Sequence, residues 1–128
     1  MEFIKFGKPR GYYTLIEDND KKGITHLAYF LTDDIGPRDG QFFKEFLNDT
    51  TRTTTNSNYA YLEKIGNKII IGFEDDQYEV PLEKQHVFET TKEQLKYIID
   101  RWVELWHKDA KEILITRDGD KVTVEGKF

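Results

Sequence analysis

The sequence predicts an α+β fold. Its sheet is mostly antiparallel, with about seven or eight strands. One long helix in the C-terminal half (about 91–107) and one short helix (about 40–48) pack against it. Three observations carry this reading. Between Tyr59 and Val80 short apolar runs alternate with the turn signals Gly66-Asn67 and Asp75-Asp76. Leu95, Ile98, Ile99, Trp102 and Trp106 then recur at i, i+3, i+4, i+7 and i+11, a single helical stripe. The chain closes on two more apolar runs around Asp118-Gly119, a hairpin signal.

Taken in order, Phe3, Ile4 and Phe6 form a first short strand that ends at Gly7 and is broken by Pro9 and Gly11. Tyr12 to Glu17 and Ile24 to Leu31 read as two strands joined by the polar turn Asp18 to Gly23. The second carries apolar side chains on both faces, which places it centrally. Asp33 to Pro37 reads as a loop. Gln41 to Asn48 reads as a helix, with Phe42, Phe43, Phe46 and Leu47 on one side and Asp39 as N-cap. Asp49 to Asn58 has five threonines and no apolar side chain, the composition of a mobile loop.

In the central unit, a two-residue loop at Gly66-Asn67 sets Leu62 opposite Ile71 and Ala60 opposite Phe73. A second such loop at Asp75-Asp76 sets Phe73 opposite Tyr78 and Ile71 opposite Val80. Both registers put Ile71 and Phe73 on one apolar face, and leave Tyr59, Tyr61, Glu63 and Ile70 on the other. A capping box, Thr90 with Glu93 or Thr91 with Gln94, opens the long helix, and Asp109-Ala110 ends it. The final hairpin pairs Ile115 with Val122 and Ile113 with Val124.

Length and composition favour one domain over residues 1–128, with enough apolar side chains to bury a core. Nineteen basic and twenty-four acidic residues leave a net charge of −5, which argues against direct binding to nucleic acid or to an anionic membrane. With no cysteine, disulfides, thiolate metal sites and a cysteine nucleophile are excluded, and the composition fits a reducing cytosol. The N-terminus has no apolar run of signal-peptide or membrane-span length.

No catalytic constellation is legible. His26, His86 and His107 lack metal-ligand spacing, and Ser57, the single serine, lacks the nucleophile-elbow glycines. Neither a dinucleotide fingerprint nor a phosphate-cradling glycine loop is present. The expectation is therefore a protein that is not an enzyme and carries neither cofactor nor metal.

Charge placement is the remaining signal. Between Asn67 and Glu89 lie six acids, Glu74, Asp75, Asp76, Glu79, Glu83 and Glu89, against Lys68 and Lys84. Residues 90–128, by contrast, hold eight charges of each sign. Tyrosines mixed with carboxylates suit recognition of a basic partner. The candidate partner-binding residues are therefore Glu74, Asp75, Asp76, Glu79 and Glu83, with Tyr59 and Tyr61 as aromatic anchors. A competing expectation is a small-molecule pocket or small enzyme lined by Tyr12, Tyr13, Tyr29 and Tyr97.

The tail from Lys111 to Gly126, following the amphipathic helix Glu93 to His107, resembles the immunity proteins of bacterial polymorphic and contact-dependent growth-inhibition toxin systems. The resemblance covers the C-terminal half and is one of style. It implies a cytoplasmic protein, monomer or weak dimer, that binds a cognate basic toxin domain, often a nuclease, and occludes its active site. No binding residue transfers by position. The acidic segment fits such a role, because negative potential steers a protein toward a phosphate-gripping surface.

Overall fold

The computed structural model describes residues 1–19, 23–77, 79–81 and 85–128. It is α+β, with eight antiparallel strands among the described residues. The strands form two four-stranded sheets rather than one. The first sheet contains β1 (Glu2–Gly7), β2 (Thr14–Asp18), β7 (Glu112–Asp118) and β8 (Lys121–Lys127), in the order β2-β1-β7-β8. The second contains β3 (Thr54–Asn56), β4 (Ala60–Ile65), β5 (Lys68–Phe73) and β6 (Phe88–Thr91), in chain order. The helices are α1 (Ile24–Tyr29), α2 (Gln41–Asn48) and α3 (Lys92–His107). Helix α1 contacts β1 and β2 of one sheet and β5 and β6 of the other; α3 contacts β5, β6 and β8.

The expected strand from Ile24 to Leu31 is helical. Alternation and helical spacing overlap in this run. Ile24, Leu27, Ala28, Leu31 and Ile35 stand at i, i+3, i+4, i+7 and i+11, and all are buried. Beyond α1 the helix widens over Phe30–Ile35 into a π-turn, absorbing most of the expected loop at Asp33 to Pro37. There the Gly36 amide donates to the Leu31 carbonyl, five residues back, at 2.8 Å.

Helix α2 forms where the aromatic side predicts, but its N-cap is Gly40. Asp39 acts from one residue earlier, its Oδ1 accepting the Gln41 amide at 2.9 Å. Gly40 has φ +71°, and a Cβ there would come within 2.6 Å of Ile99 Cγ2. Glycine thus serves both the turn and the close approach of α3. The expected loop Asp49 to Asn58 contains β3, whose Thr55 is buried opposite Leu62. A threonine-rich run is good strand material once a partner edge is available.

The Gly66-Asn67 hairpin has the expected register, Leu62 opposite Ile71 and Ala60 opposite Phe73. The Asp75-Asp76 hairpin does not form. Glu74–Asp76 is a 3₁₀ turn, and the neighbour of β5 is β6, so Ile71 pairs with Phe88 rather than Val80. The expected pairing of Phe73 with Tyr78 falls on a residue outside the described ones. The terminal hairpin is shifted by two residues. Its loop is Gly119-Asp120, which pairs Ile115 with Val124 and Ile113 with Gly126, and the inward face is unchanged because the shift is even. Thr91 caps α3, accepting the Gln94 amide on its hydroxyl at 3.2 Å.

One core joins both sheets through the helices. Trp102, fully buried, stands at its centre. It packs edge-on against Phe6 with ring centroids 4.8 Å apart, and its indole N–H donates to the Gly36 carbonyl at 3.2 Å. The sheets are also joined by Arg117 of β7. Its guanidinium grips Glu2 of β1 at 3.0 Å, donates to the Glu89 carbonyl of β6 and lies 4.3 Å from the Phe88 ring centroid. Both ion-pair side chains are well shielded, 13% and 14% exposed. Arg117→Ala is therefore expected to lower unfolding stability by about 3 kcal/mol, because a shielded carboxylate loses its partner. Lys68→Ala, which breaks the exposed pair with Glu89, is expected to change it by less than about 1 kcal/mol. Urea denaturation of both variants checks the contrast.

Candidate functional site

The candidate surface lies where β5 leaves the second sheet. After Phe73 the chain turns through Glu74–Asp76, which places three consecutive acidic residues beyond the strand end. Backbone bonds hold this turn. The Glu74 amide donates to the Tyr59 carbonyl at 2.9 Å, Gln77 to Glu74 at 3.1 Å and Val80 to Asp76 at 3.1 Å. The Asn56 side-chain amide ties the turn to β3 through Gln77 Oε1 at 2.6 Å. Asp75 and Glu79 are exposed, while Glu74 and Asp76 are half-buried. Among the described residues none of these four enters an ion pair, whereas Glu89 pairs with Lys68. Glu83 lies outside the described residues.

Tyr61 and Tyr59 separate. Tyr61 points to the outer face of the second sheet and is 2% exposed. Gly72 pairs with it across the strands, and a Cβ at that glycine would stand 2.6 Å from the ring. Its hydroxyl donates to Gln85 Oε1, and the Gln85 amide donates to the carbonyls of Val80 (2.6 Å) and Asp76 (3.1 Å). Gln85 thereby fastens the acidic segment over the tyrosine. Burial raises the Tyr61 pKa above the usual phenol value, and the nearby charges of Glu63 and Asp76 raise it further. The hydroxyl is thus a donor at neutral pH. Tyr61, Glu63, Gln77, Glu79, Val80, Pro81 and Gln85 line a cleft of about 400 Å³.

Tyr59 precedes β4 and turns toward the core side instead, against the expectation that it shares a face with Tyr61. Its ring packs on Tyr29 and Phe73, each 5.2 Å away between centroids, and its hydroxyl lies 2.8 Å from His26 Nδ1. Strand β4 begins at Ala60, so the alternation does not reach Tyr59. The pair also places His26, expected on a strand, on α1.

The tyrosines of the competing pocket do not converge. Tyr13 is buried against Trp102 and Trp106, with its hydroxyl on the Ala110 carbonyl. Tyr29 packs on Tyr59, Tyr97 is exposed on α3, and Tyr12 borders a shallow cleft with Pro9, Arg10 and Thr14. No group of three or more His, Asp or Glu side chains is arranged to hold a metal ion among the described residues. No helix among them is long and apolar enough to cross a membrane.

Three residues that hold the candidate surface or lie beside it are absent from the expected set. Gln85 gave no signal, since a glutamine between turn and strand is unremarkable in composition. Gly72 did give one, because a glycine inside an apolar strand marks a close approach. Asp34 was read as part of a loop, yet it is 3% exposed on the π-turn. Its Oδ1 accepts the Tyr59 amide at 2.9 Å and its Oδ2 the Ala60 amide at 3.0 Å, and the Ser57 hydroxyl adds a third bond. Desolvation raises the Asp34 pKa, outweighing these bonds, which act to lower it.

Asp34→Asn presents an NH₂ group to one of two backbone amides, so a loss of about 1–3 kcal/mol is expected. The sign of its pH dependence follows from the raised pKa. Native Asp34 binds its proton more tightly than unfolded Asp34, so its contribution is largest below the ordinary carboxylate range and declines as pH rises through the native value. The stability gap between wild type and Asp34→Asn is thus expected to narrow from acid to neutral pH, measured by denaturation at each pH.

No protein-family model, characterised protein or solved structure matches this chain significantly.

Proposed function

We propose that the chain is a stoichiometric protein inhibitor that uses the acidic turn to bind a basic toxin domain and cover its active site. This corresponds to the role of an immunity protein. The observation that carries the reading is the set of carboxylates at Glu74, Asp75, Asp76 and Glu79. They lie on a hydrogen-bonded turn and form no ion pair with this chain's own described lysines and arginines. Charge left uncompensated on an ordered element raises the local negative potential. It costs less ordering entropy on binding than charge on a flexible tail would.

The adjoining cleft gives the surface shape as well as charge. Glu63 and Glu79 border it, and its wall includes Tyr61, Val80 and Pro81. A basic side chain with an aliphatic stem, arginine or lysine, has matching chemistry: the stem lies on the apolar wall and the cation meets the acids. A nuclease active site presents such side chains where it grips phosphates. In this reading the inhibitor works inside the cell that makes the toxin, as a monomer or weak dimer, with no cofactor and no chemistry of its own.

The test uses the product of the adjacent reading frame as candidate toxin. Asp75→Lys with Asp76→Lys is expected to slow association at low salt by about tenfold or more, with a smaller change in dissociation. Stopped-flow measurements across a salt series check this. An unchanged association rate removes the acidic turn from the interface.

A further inference from the structure

Asp34 has a second consequence, independent of the acidic turn. Its carboxylate is buried and accepts hydrogen bonds from two backbone amides and a hydroxyl, a donor set suited to the charged form. Yet it enters no ion pair among the described residues. Buried carboxylates are ordinarily matched by a cation. Arg38 is close in sequence but spends its guanidinium on main-chain carbonyls, Nε on Ile35 at 3.2 Å and Nη2 on Asp34 at 2.5 Å.

Asp34 also borders a cavity of about 290 Å³ between the π-turn, the start of α2 and the turn before β4. Its polar wall includes Ser57, Asn58, Gln41, Asp39 and Arg38, whose guanidinium is held by the two carbonyls; its apolar wall is Phe42, Phe43 and Ile35. Phe42 is half exposed, at 50%, although it stands at the mouth of an aromatic cluster with Phe43 and Phe30. A buried carboxylate without an ion-pair partner, a polar wall and a half-exposed aromatic ring, with the Arg52 guanidinium 5.7 Å from its centroid, thus meet in one small space.

We propose that this cavity binds a small organic cation, a primary ammonium on an aromatic or apolar stem. The ammonium meets Asp34, with Ser57 and Asn58 beside it, and the stem lies on Phe42. Ammonium supplies three donors and the missing positive charge, and the volume accommodates a ligand of about ten heavy atoms. A lysine side chain from a partner protein would bring the same ammonium on an aliphatic stem.

Benzylamine is the probe, titrated into the ¹⁵N-labelled full chain at neutral pH, with benzyl alcohol as the neutral match. The amides of Tyr59 and Ala60, which bond the Asp34 carboxylate, report the site. Saturable shifts there with a Kd of about 1 mM, absent with benzyl alcohol, are expected. Phe42→Ala, at a half-exposed position that leaves folding intact, is expected to weaken binding about fivefold. Equal response to the alcohol, shifts confined to residues 74–77, no saturation at all, or unchanged affinity in Phe42→Ala would each overturn the proposal. Tighter binding by N-acetyl-lysine methylamide than by benzylamine would also overturn it, and would assign the cavity to a partner's lysine.

Discussion

Neither sheet can bury its apolar face alone, and the fold follows from that constraint. Helices α1 and α3 each contact both four-stranded sheets, so each must satisfy two surfaces at once. Trp102 is where this sharing is concentrated. Its ring meets Phe6 of the first sheet, its neighbour Trp106 meets Tyr13, and its N–H reaches the carbonyl that ends the π-turn. A smaller apolar side chain would fill less of that space and leave the Gly36 carbonyl without the bond. The π-turn itself allows the first helical segment to continue past Tyr29 and still deliver Gly36 to the indole.

Polar groups do the remaining joining. Asp34 fastens the helical layer to the start of β4, Arg117 fastens the two sheets together, and Gln85 fastens the acidic segment onto Tyr61. Each is a shielded side chain with several partners, and no buried side-chain nitrogen or oxygen is left without one among the described residues. Such groups define one arrangement among several that apolar packing alone would tolerate.

The charge pattern follows the same division. Some acids on β7 and α3 are matched, as in Lys5 with Glu112, Lys44 with Asp100, and Glu104 with both Arg101 and Lys108. In the turn after β5, three consecutive carboxylates stand together without an ion pair among the described residues, Asp75 exposed and Glu74 and Asp76 half-buried. Tyr59 links this turn to the buried carboxylate, because its amide bonds Asp34 and its carbonyl receives the Glu74 amide. The charge that the proposed inhibitor role uses is therefore tied by hydrogen bonds to the second sheet and to the π-turn.

Much of the architecture was legible in the sequence wherever local pattern and tertiary environment agree. The Leu95 to Trp106 stripe, the Thr91 cap, the aromatic side of α2 and the Leu62–Ile71 register each rest on near neighbours in the chain. Ile24 to Leu31 misled because its apolar residues satisfy both a strand and a helix, and only the two surfaces flanking α1 select the helix. Asp75-Asp76 misled because a turn signal reports a change of direction without naming the strand that follows; β6 came from Phe88 onward. The terminal hairpin showed its inward face but not its register, since an even shift conserves the face. At the candidate site, the sequence by itself determined where the acidic charge is concentrated along the chain. Only the tertiary structure decided that Tyr59 turns inward while Tyr61 lies under Gln85, and that Asp34 is buried. These outcomes depend on which distant segments come to cover a residue, and burial is a property of that contact rather than of the residue's own neighbours in sequence.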